Sequence, residues 1–258
     1  MTVHVGINLG THAIIIADKR VTQNHDDRTT SFEDSSEKVT ATNNGWSARG
    51  GKWMPKSTVE YAIGNFRVRS VEDLEKILMD ASVNLNRMLG DGAANSYLQN
   101  FSSTAHTYSI FDEEEQSVNV FSIKPPGYRG QMDWTVETTG ADSVAWAFPK
   151  GLTDSEEIWF QSEMQAIVDI FRLERGHTLQ PKMSTNLEWI TKKACELLME
   201  MGLNNHYVSK NFDVGIISTS GFRLNAVVDL ERDPKVRWRS LNNAPNLRIE
   251  HESSELSR

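Results

Sequence analysis

Apolar and polar residues alternate at the start of the chain. Val3, Val5 and Ile7 are interleaved with His4, Gly6 and Asn8, the period of a strand with two unlike faces. This predicts a strand over residues 2–9, a tight turn at Asn8-Leu9-Gly10-Thr11, and a returning strand over 12–18. Ala13-Ile14-Ile15-Ile16-Ala17 has no polar position, as expected of a strand covered on both faces. Residues 22–36 are rich in Asp, Thr, Ser and His and read as an exposed loop. Two short strands, 37–42 and 46–50, flank Asn43-Asn44-Gly45.

The period then lengthens. Val71, Leu74, Ile77, Leu78, Ala81, Leu85 and Met88 share one face of a helix over 70–90, with Ser70 as cap, Asp73 in its first turn and Gly90 at its end. Alternation returns over 104–111 and 116–123, on either side of the acidic turn Asp112-Glu113-Glu114-Glu115, and again over 133–139. Helices are predicted over 154–173 and 185–201. In the first, Asp154 is the cap and Ile158, Met164, Ile167, Val168 and Phe171 form the buried stripe. In the second the stripe is Leu187, Ile190, Ala194, Leu197, Leu198 and Met201, and Gly202 is the stop. Strands at 212–218 and 222–228 close the pattern.

Strands, helix, strands, two helices, strands, without strict βαβ alternation, is the order of an α+β fold in which helices cover antiparallel sheets. Residues 1–239 read as one domain and the polar 240–258 as a flexible tail. One cysteine, Cys195, rules out an intrachain disulfide framework, and beside an apolar helix stripe it reads as packing. No signal peptide and no apolar run near the roughly 18 residues of a membrane span is seen, which points to a cytoplasmic protein. The net charge of −8 argues against nucleic acid as the main partner. There is no P-loop or dinucleotide fingerprint. His4, His12, His25 and Asp26-Asp27 fit no metal-ligand spacing, so no cofactor or metal is expected.

The candidate chemistry begins at Thr2. Loss of Met1 would leave a hydroxyl next to a free α-amine, and a hydroxyl becomes a useful nucleophile when a nearby base takes its proton. An α-amine with an ordinary pKa of about 7.7–8.0 can serve. By itself Met-Thr is a common start. Asp18 ends the second strand, in Ala17-Asp18-Lys19-Arg20; Lys38 opens the third, in Glu37-Lys38-Val39-Thr40; Gly50-Gly51 ends the fourth. Singly, these are a turn-forming aspartate, a solvated lysine and a turn.

Taken together, Thr2, the Ala-Asp-x-Arg hairpin end, the Lys-Val strand start and the Gly-Gly strand end resemble the proteasome β-subunit and HslV family of N-terminal-nucleophile hydrolases. Asp18 lies sixteen residues after Thr2, the family's interval. Phe111-Asp112-Glu113-Glu114, Pro126-Gly127 and Phe212-Asp213-Val214-Gly215-Ile216-Ile217 are similar in kind, so the resemblance spans about residues 2–230. It implies a four-layer αββα sandwich of two antiparallel sheets and a threonine endopeptidase working through an acyl-enzyme. The substrate would be peptide or unfolded protein, and the enzyme a self-compartmentalising homo-oligomeric ring; an ATPase partner is left open. By the same resemblance Thr2 is the nucleophile, its amine shuttles the proton directly or through a water, and Lys38 lies beside the hydroxyl. Asp18 pairs with Lys38, Arg20 braces the loop, the Gly51 N–H serves as oxyanion donor, and Ser209 supports the amine. Arg49, two before Gly51, would line the pocket for the side chain preceding the cut and favour acidic residues. The chain departs from the family where Ala141 stands in Gly140-Ala141-Asp142, with Ser143 nearby as a substitute. It departs again where His206 stands three before Ser209. A non-catalytic homologue and an amidase acting on a non-peptide amide are the alternatives.

Overall fold

The structure, a computed structural model, describes residues 2–26, 28–34, 37–50, 73, 104–124, 135–147, 152–177, 183–232, 236 and 238–240. The first strand, β1 (His4–Asn8), turns at Gly10 and returns as β2 (His12–Asp18). Gly10 has φ +75, a conformation that a side chain disfavours. The pair β3 (Val21–Asn24) and β4 (Thr30–Glu33) follows, then β5 (Val39–Ala41) and β6 (Gly45–Gly50). Next come β7 (Ala105–Asp112), β8 (Ser117–Lys124), β9 (Thr135–Thr139) and β10 (Ser143–Ala147). Two helices, α1 (Asp154–His177) and α2 (Met183–Asn204), precede β11 (Asn211–Ser218), β12 (Arg223–Asp229) and β13 (Arg239–Ser240).

The strands form a six-stranded sheet in the order β10-β1-β2-β11-β12-β13 and a five-stranded sheet in the order β5-β6-β7-β8-β9. Every neighbouring pair is antiparallel. The alternation read from the sequence assigns the faces. Val3, Val5, Ile7, Ile14, Ile16, Phe212, Val214 and Ile216 pack with α1 and α2, through Phe160, Met164, Val168, Ile190, Ala194 and Leu198. Ala13, Ile15, Ala17 and Ile217 face the other way and pack with Val39, Trp46, Ala48, Phe111, Val118 and Val120 of the five-stranded sheet. Helices, sheet and sheet therefore make three described layers of an α+β fold. The predicted helix over 70–90, which would supply a fourth, lies outside the described residues apart from Asp73, which is helical. No helix among the described residues is long and apolar enough to cross a membrane.

Several boundaries differ from the sequence reading for identifiable reasons. Residues 22–36 contain a hairpin, with Val21 opposite Glu33 and Asn24 opposite Thr30. It forms from backbone pairing with little burial, and a ribbon without an apolar face leaves no alternation to detect. Strand β10 was not anticipated; it is five residues long, and its Val144 and Ala145 serve opposite cores. In α1 the cap is Thr153, not Asp154: Thr153 Oγ1 accepts from the Glu156 N–H at 3.3 Å while Glu156 Oε2 accepts from the Thr153 N–H at 2.7 Å, a reciprocal capping box. Phe160 takes the buried place expected for Ile158, which is 62% exposed. Helix α2 continues past Gly202 to Asn204; at Gly202 a Cβ would lie 3.3 Å from Val208 O, so this glycine admits the following chain.

Close approach of the two sheets is bought at glycine. A Cβ on Gly215 would lie 2.5–3.0 Å from the indole of Trp46, whose Nε1 donates to Ile216 O at 2.9 Å. Gly215→Ala is expected to destabilise the fold by about 1–3 kcal/mol through overpacking. The additional change Trp46→Leu should cost less in the Gly215→Ala background than in the parent. Urea titrations of the four proteins measure the coupling, and strict additivity would contradict direct contact as the cause.

Candidate functional site

The β1–β2 hairpin brings the first two candidates together. Its register places His4 opposite Ala17, so Asp18 lies beside Val3. Asp18 N donates to Val3 O at 3.1 Å, and Val3 N donates to Asp18 Oδ1 at 2.8 Å. The sixteen-residue interval between Thr2 and Asp18 is thus the length of a hairpin that folds back on its own start. Asp18 Oδ2 accepts from the Arg20 and Ser209 backbone N–H groups, each at 3.1 Å. A carboxylate with no solvent exposure needs partners of this kind.

Lys38 precedes β5 and is 6% exposed. Its Nζ donates to Thr2 Oγ1 and to Arg20 O. The direct Asp18–Lys38 pairing implied by the resemblance is replaced by an indirect arrangement. The hydrogen bonds to Asp18 come from backbone N–H groups, while its charge acts on Lys38 through space. Burial pushes the Lys38 ammonium below the usual lysine range, and the charges of Asp18, Asp213 and Asp34 oppose that push while Arg49 reinforces it. Burial pushes the Asp18 carboxyl up, against the Lys38 charge and the three backbone donors. The result is a hydroxyl, Thr2 Oγ1, next to an amine whose proton is loosened by burial.

Around this centre, Arg20 clamps the hairpin that follows. Its Nε and Nη2 reach Asp34 at 2.7 and 2.8 Å, and its Nη1 donates to His206 O. The guanidinium also lies 5.5 Å from the Phe32 ring centre. The pair with Arg20 holds the Asp34 carboxyl below its ordinary range. Ser209 contributes its N–H to Asp18, while its Oγ accepts from Asn211 N at 2.9 Å. Arg49 is buried in β6, with Nη1 3.4 Å from Thr40 Oγ1 and Nη2 3.4 Å from Glu37 O. Gly51 lies outside the described residues. Its neighbour Gly50 ends β6 against the start of the chain's described residues: a Cβ there would sit 3.0 Å from Thr2 O and 3.0 Å from the His4 ring.

Strand register corrects one sequence reading. Ser143 is opposite Asn8, whereas Ala147 is opposite His4. Ala141 and Ser143 therefore stand at the end of β1 remote from Thr2, about 13 Å along the strand from His4. Neither substitutes for a serine beside the threonine. Sequence reasoning also passed over two groups. Asp213 was read as part of a strand, yet its Oδ2 accepts from Lys38 N at 2.8 Å and its Oδ1 from Lys19 Nζ at 3.2 Å. His4 is wholly buried, with Nδ1 2.7 Å from Thr107 Oγ1. A polar residue inside an otherwise apolar buried strand was the available signal for both. Among the described residues no group of three or more His, Cys, Asp or Glu is placed to hold a metal ion.

No protein-family model matches the chain, and no curated protein matches it. Among solved structures, the eukaryotic HslV from Trypanosoma brucei is similar, with 14% identity over 84% of this chain and 99% of that chain and a TM-score of 0.45.

Burial, followed by the charges of His106, Lys38 and Lys124, lowers the His4 pKa from 6.5 to about 3. Above pH 6.5 the imidazole is neutral in both folded and unfolded chains. As pH falls towards about 3 the unfolded chain takes up a proton that the folded chain refuses. Stability should then fall by up to about 1.4 kcal/mol per pH unit from this group. Replacing His4 with Asn should remove that part of the slope. Urea midpoints of both proteins across this window check it; parallel pH dependences would contradict the assignment.

Proposed function

We propose that the chain is a threonine-type endopeptidase whose nucleophile is Thr2, exposed as an N-terminal residue by removal of Met1. The observation that carries the reading is the contact of Lys38 Nζ with Thr2 Oγ1 in a buried setting that weakens the lysine's hold on its proton. A hydroxyl and a neutralisable amine in contact form a nucleophile–base pair.

In this reading the Thr2 Oγ proton passes to neutral Lys38, or to the new α-amine, as Oγ bonds to the substrate carbonyl carbon. The tetrahedral intermediate collapses, the C–N bond breaks, and the departing amine takes up the proton. Water then attacks the ester, giving its proton to the same base. The acid product leaves as Oγ is reprotonated. Asp18 stabilises the ammonium that forms when Lys38 takes the proton, and it fixes the start of β1 through Val3 N. By the family resemblance the Gly51 N–H serves as oxyanion donor. Arg49 sets a preference for an acidic side chain before the cut.

Assembly into a homo-oligomeric ring, with peptide or unfolded protein admitted to it, belongs to the same proposal. The apolar residues Trp159, Ile170 and Leu173, exposed on α1, are material for subunit contacts.

Intact-mass measurement should show loss of Met1, and an epoxyketone or β-lactone should label Thr2. Thr2→Ala should abolish both labelling and turnover while leaving the thermal melt in place. Lys38→Met should lower kcat by about 10²–10⁴-fold, the usual contribution of a positioned base. Retention of Met1 in a protein that still cleaves peptides would defeat the mechanism. On fluorogenic peptides varied at the residue before the cut, Asp and Glu should be favoured, and Arg49→Met should remove the preference. An unchanged panel would refute the role of Arg49.

A further inference from the structure

Strand β5 is only three residues long and lies at the edge of the five-stranded sheet. Val39, Thr40 and Ala41 pair with β6, and Lys38 stands just before that ladder. What fixes the Lys38 backbone comes from the opposite sheet. Asp213, in β11, sits opposite Ala17 of β2 and Val227 of β12, and is 5% exposed. Its Oδ2 accepts the Lys38 N–H at 2.8 Å, while its Oδ1 is held by Lys19 Nζ at 3.2 Å. From that anchored backbone the Lys38 side chain reaches Thr2 Oγ1 and Arg20 O.

We propose that Asp213 is a positioning residue that bridges the two sheets and holds Lys38 against Thr2. The catalytic part of this inference rests on the threonine-peptidase reading. The Asp213–Lys38 linkage does not. An edge strand this short has little register of its own, since neither a long ladder nor a buried alternation pins it. A single carboxylate with two oxygens, one on Lys38 N–H and one on Lys19, supplies the missing constraint. Displacement of a reacting group by about 1 Å can cost about 10²-fold in rate, so the anchor matters to chemistry it does not touch.

Asp213 also contributes charge. The groups acting on Lys38 are Asp18 from β2, Asp213 from β11, Asp34 after β4 and Arg49 from β6. Lys38 in turn acts on His4 of β1, and Glu37 and Lys19 act on Asp213. Arg20 joins this set through Asp18 and Asp34. Removing the Asp213 carboxylate takes away one of three negative charges that favour the Lys38 ammonium, so Lys38 must then lose its proton at lower pH.

Two variants separate the geometric and charge roles. Asp213→Asn keeps an acceptor for the Lys38 N–H but removes the charge; Asp213→Ala removes both. The Lys38 side chain is followed by NMR of its labelled ε-carbon, assigned with Lys38→Arg, and the rate of Thr2 labelling by a β-lactone is measured alongside. Lys38 should titrate lower in both variants, by on the order of one pH unit. Labelling should slow by about 10–10² in Asp213→Ala and by less in Asp213→Asn. A folded Asp213→Ala protein with parental titration and labelling rate would overturn the proposal. Should that variant fail to fold, Asp213→Ser, too short to reach the Lys38 N–H, takes its place, and parental titration and labelling in it overturn the proposal equally. Absence of Thr2 labelling in the parent protein would instead count against the peptidase reading, and the Lys38 titration would still judge the role of Asp213.

Discussion

The burial of one ammonium group governs the arrangement of this molecule. Lys38 lies almost entirely out of water, with its Nζ on a hydroxyl and a backbone carbonyl. Burying a charge costs several kcal/mol unless opposite charge and hydrogen bonds offset it. Two buried carboxylates from neighbouring strands, together with Asp34, supply the charge. Asp18 and Asp213 are themselves buried, and each has its own donors: backbone N–H groups for Asp18, the Lys19 ammonium and the Lys38 N–H for Asp213. Neither oxygen pair is drawn into a tight ion pair with the Lys38 amine, which keeps that amine directed at Thr2.

The sheets make this possible through register. The β1–β2 hairpin sets Asp18 beside Val3, and antiparallel pairing of β11 with β2 sets Asp213 opposite Ala17. Both carboxylates thus appear at the same end of the six-stranded sheet, where Thr2 precedes β1. Close contact between the sheets then brings Lys38 and Gly50 over that end. Glycines at the crossing points remove the side chains that would hold the layers apart. At Gly6 a Cβ would meet Val120 Cγ1 at 2.5 Å, and Gly215 lies under Trp46. The packing that stabilises the core and the approach that forms the site are one geometric fact.

Much of this was legible in residue order. Alternation identified β1, β7 and β8, an unbroken apolar run identified β2, and helical periodicity identified α1 and α2, because each buries faces whose pattern the sequence must keep. Features without such a period were lost. The β3–β4 ribbon is exposed, β10 puts Val144 and Ala145 into opposite cores and so shows no apolar–polar alternation, and the Thr153 box depends on which of two adjacent polar residues turns inward. The candidate site divides the same way. Thr2, Asp18, Lys38, Arg20 and Ser209 gather in one region, where local motifs had marked them. Asp213 required knowledge of which strand lies beside β2, and no local motif encodes that. Ala141 and Ser143 were drawn towards Thr2 by order along the chain, and only the antiparallel register places them at the far end of β1.

The cost of this arrangement bears on whether it has a purpose beyond the fold. A well-packed apolar side chain in place of a buried ion pair is often neutral or stabilising. A scaffold selected for stability alone would gain nothing from an ammonium between Asp18, Asp213 and Arg49, nor from loosening its proton by burial. It would gain still less from aiming that amine at a threonine hydroxyl. An acyl-transfer site needs these same features: a base that can lose its proton, a nucleophile in contact with it, and charges fixed by the fold before substrate arrives. The energetic burden of Lys38 is therefore an argument for the proposed acyl-transfer reading over an inactive homologue. Under that proposal Asp18 and Asp213 hold the base in place.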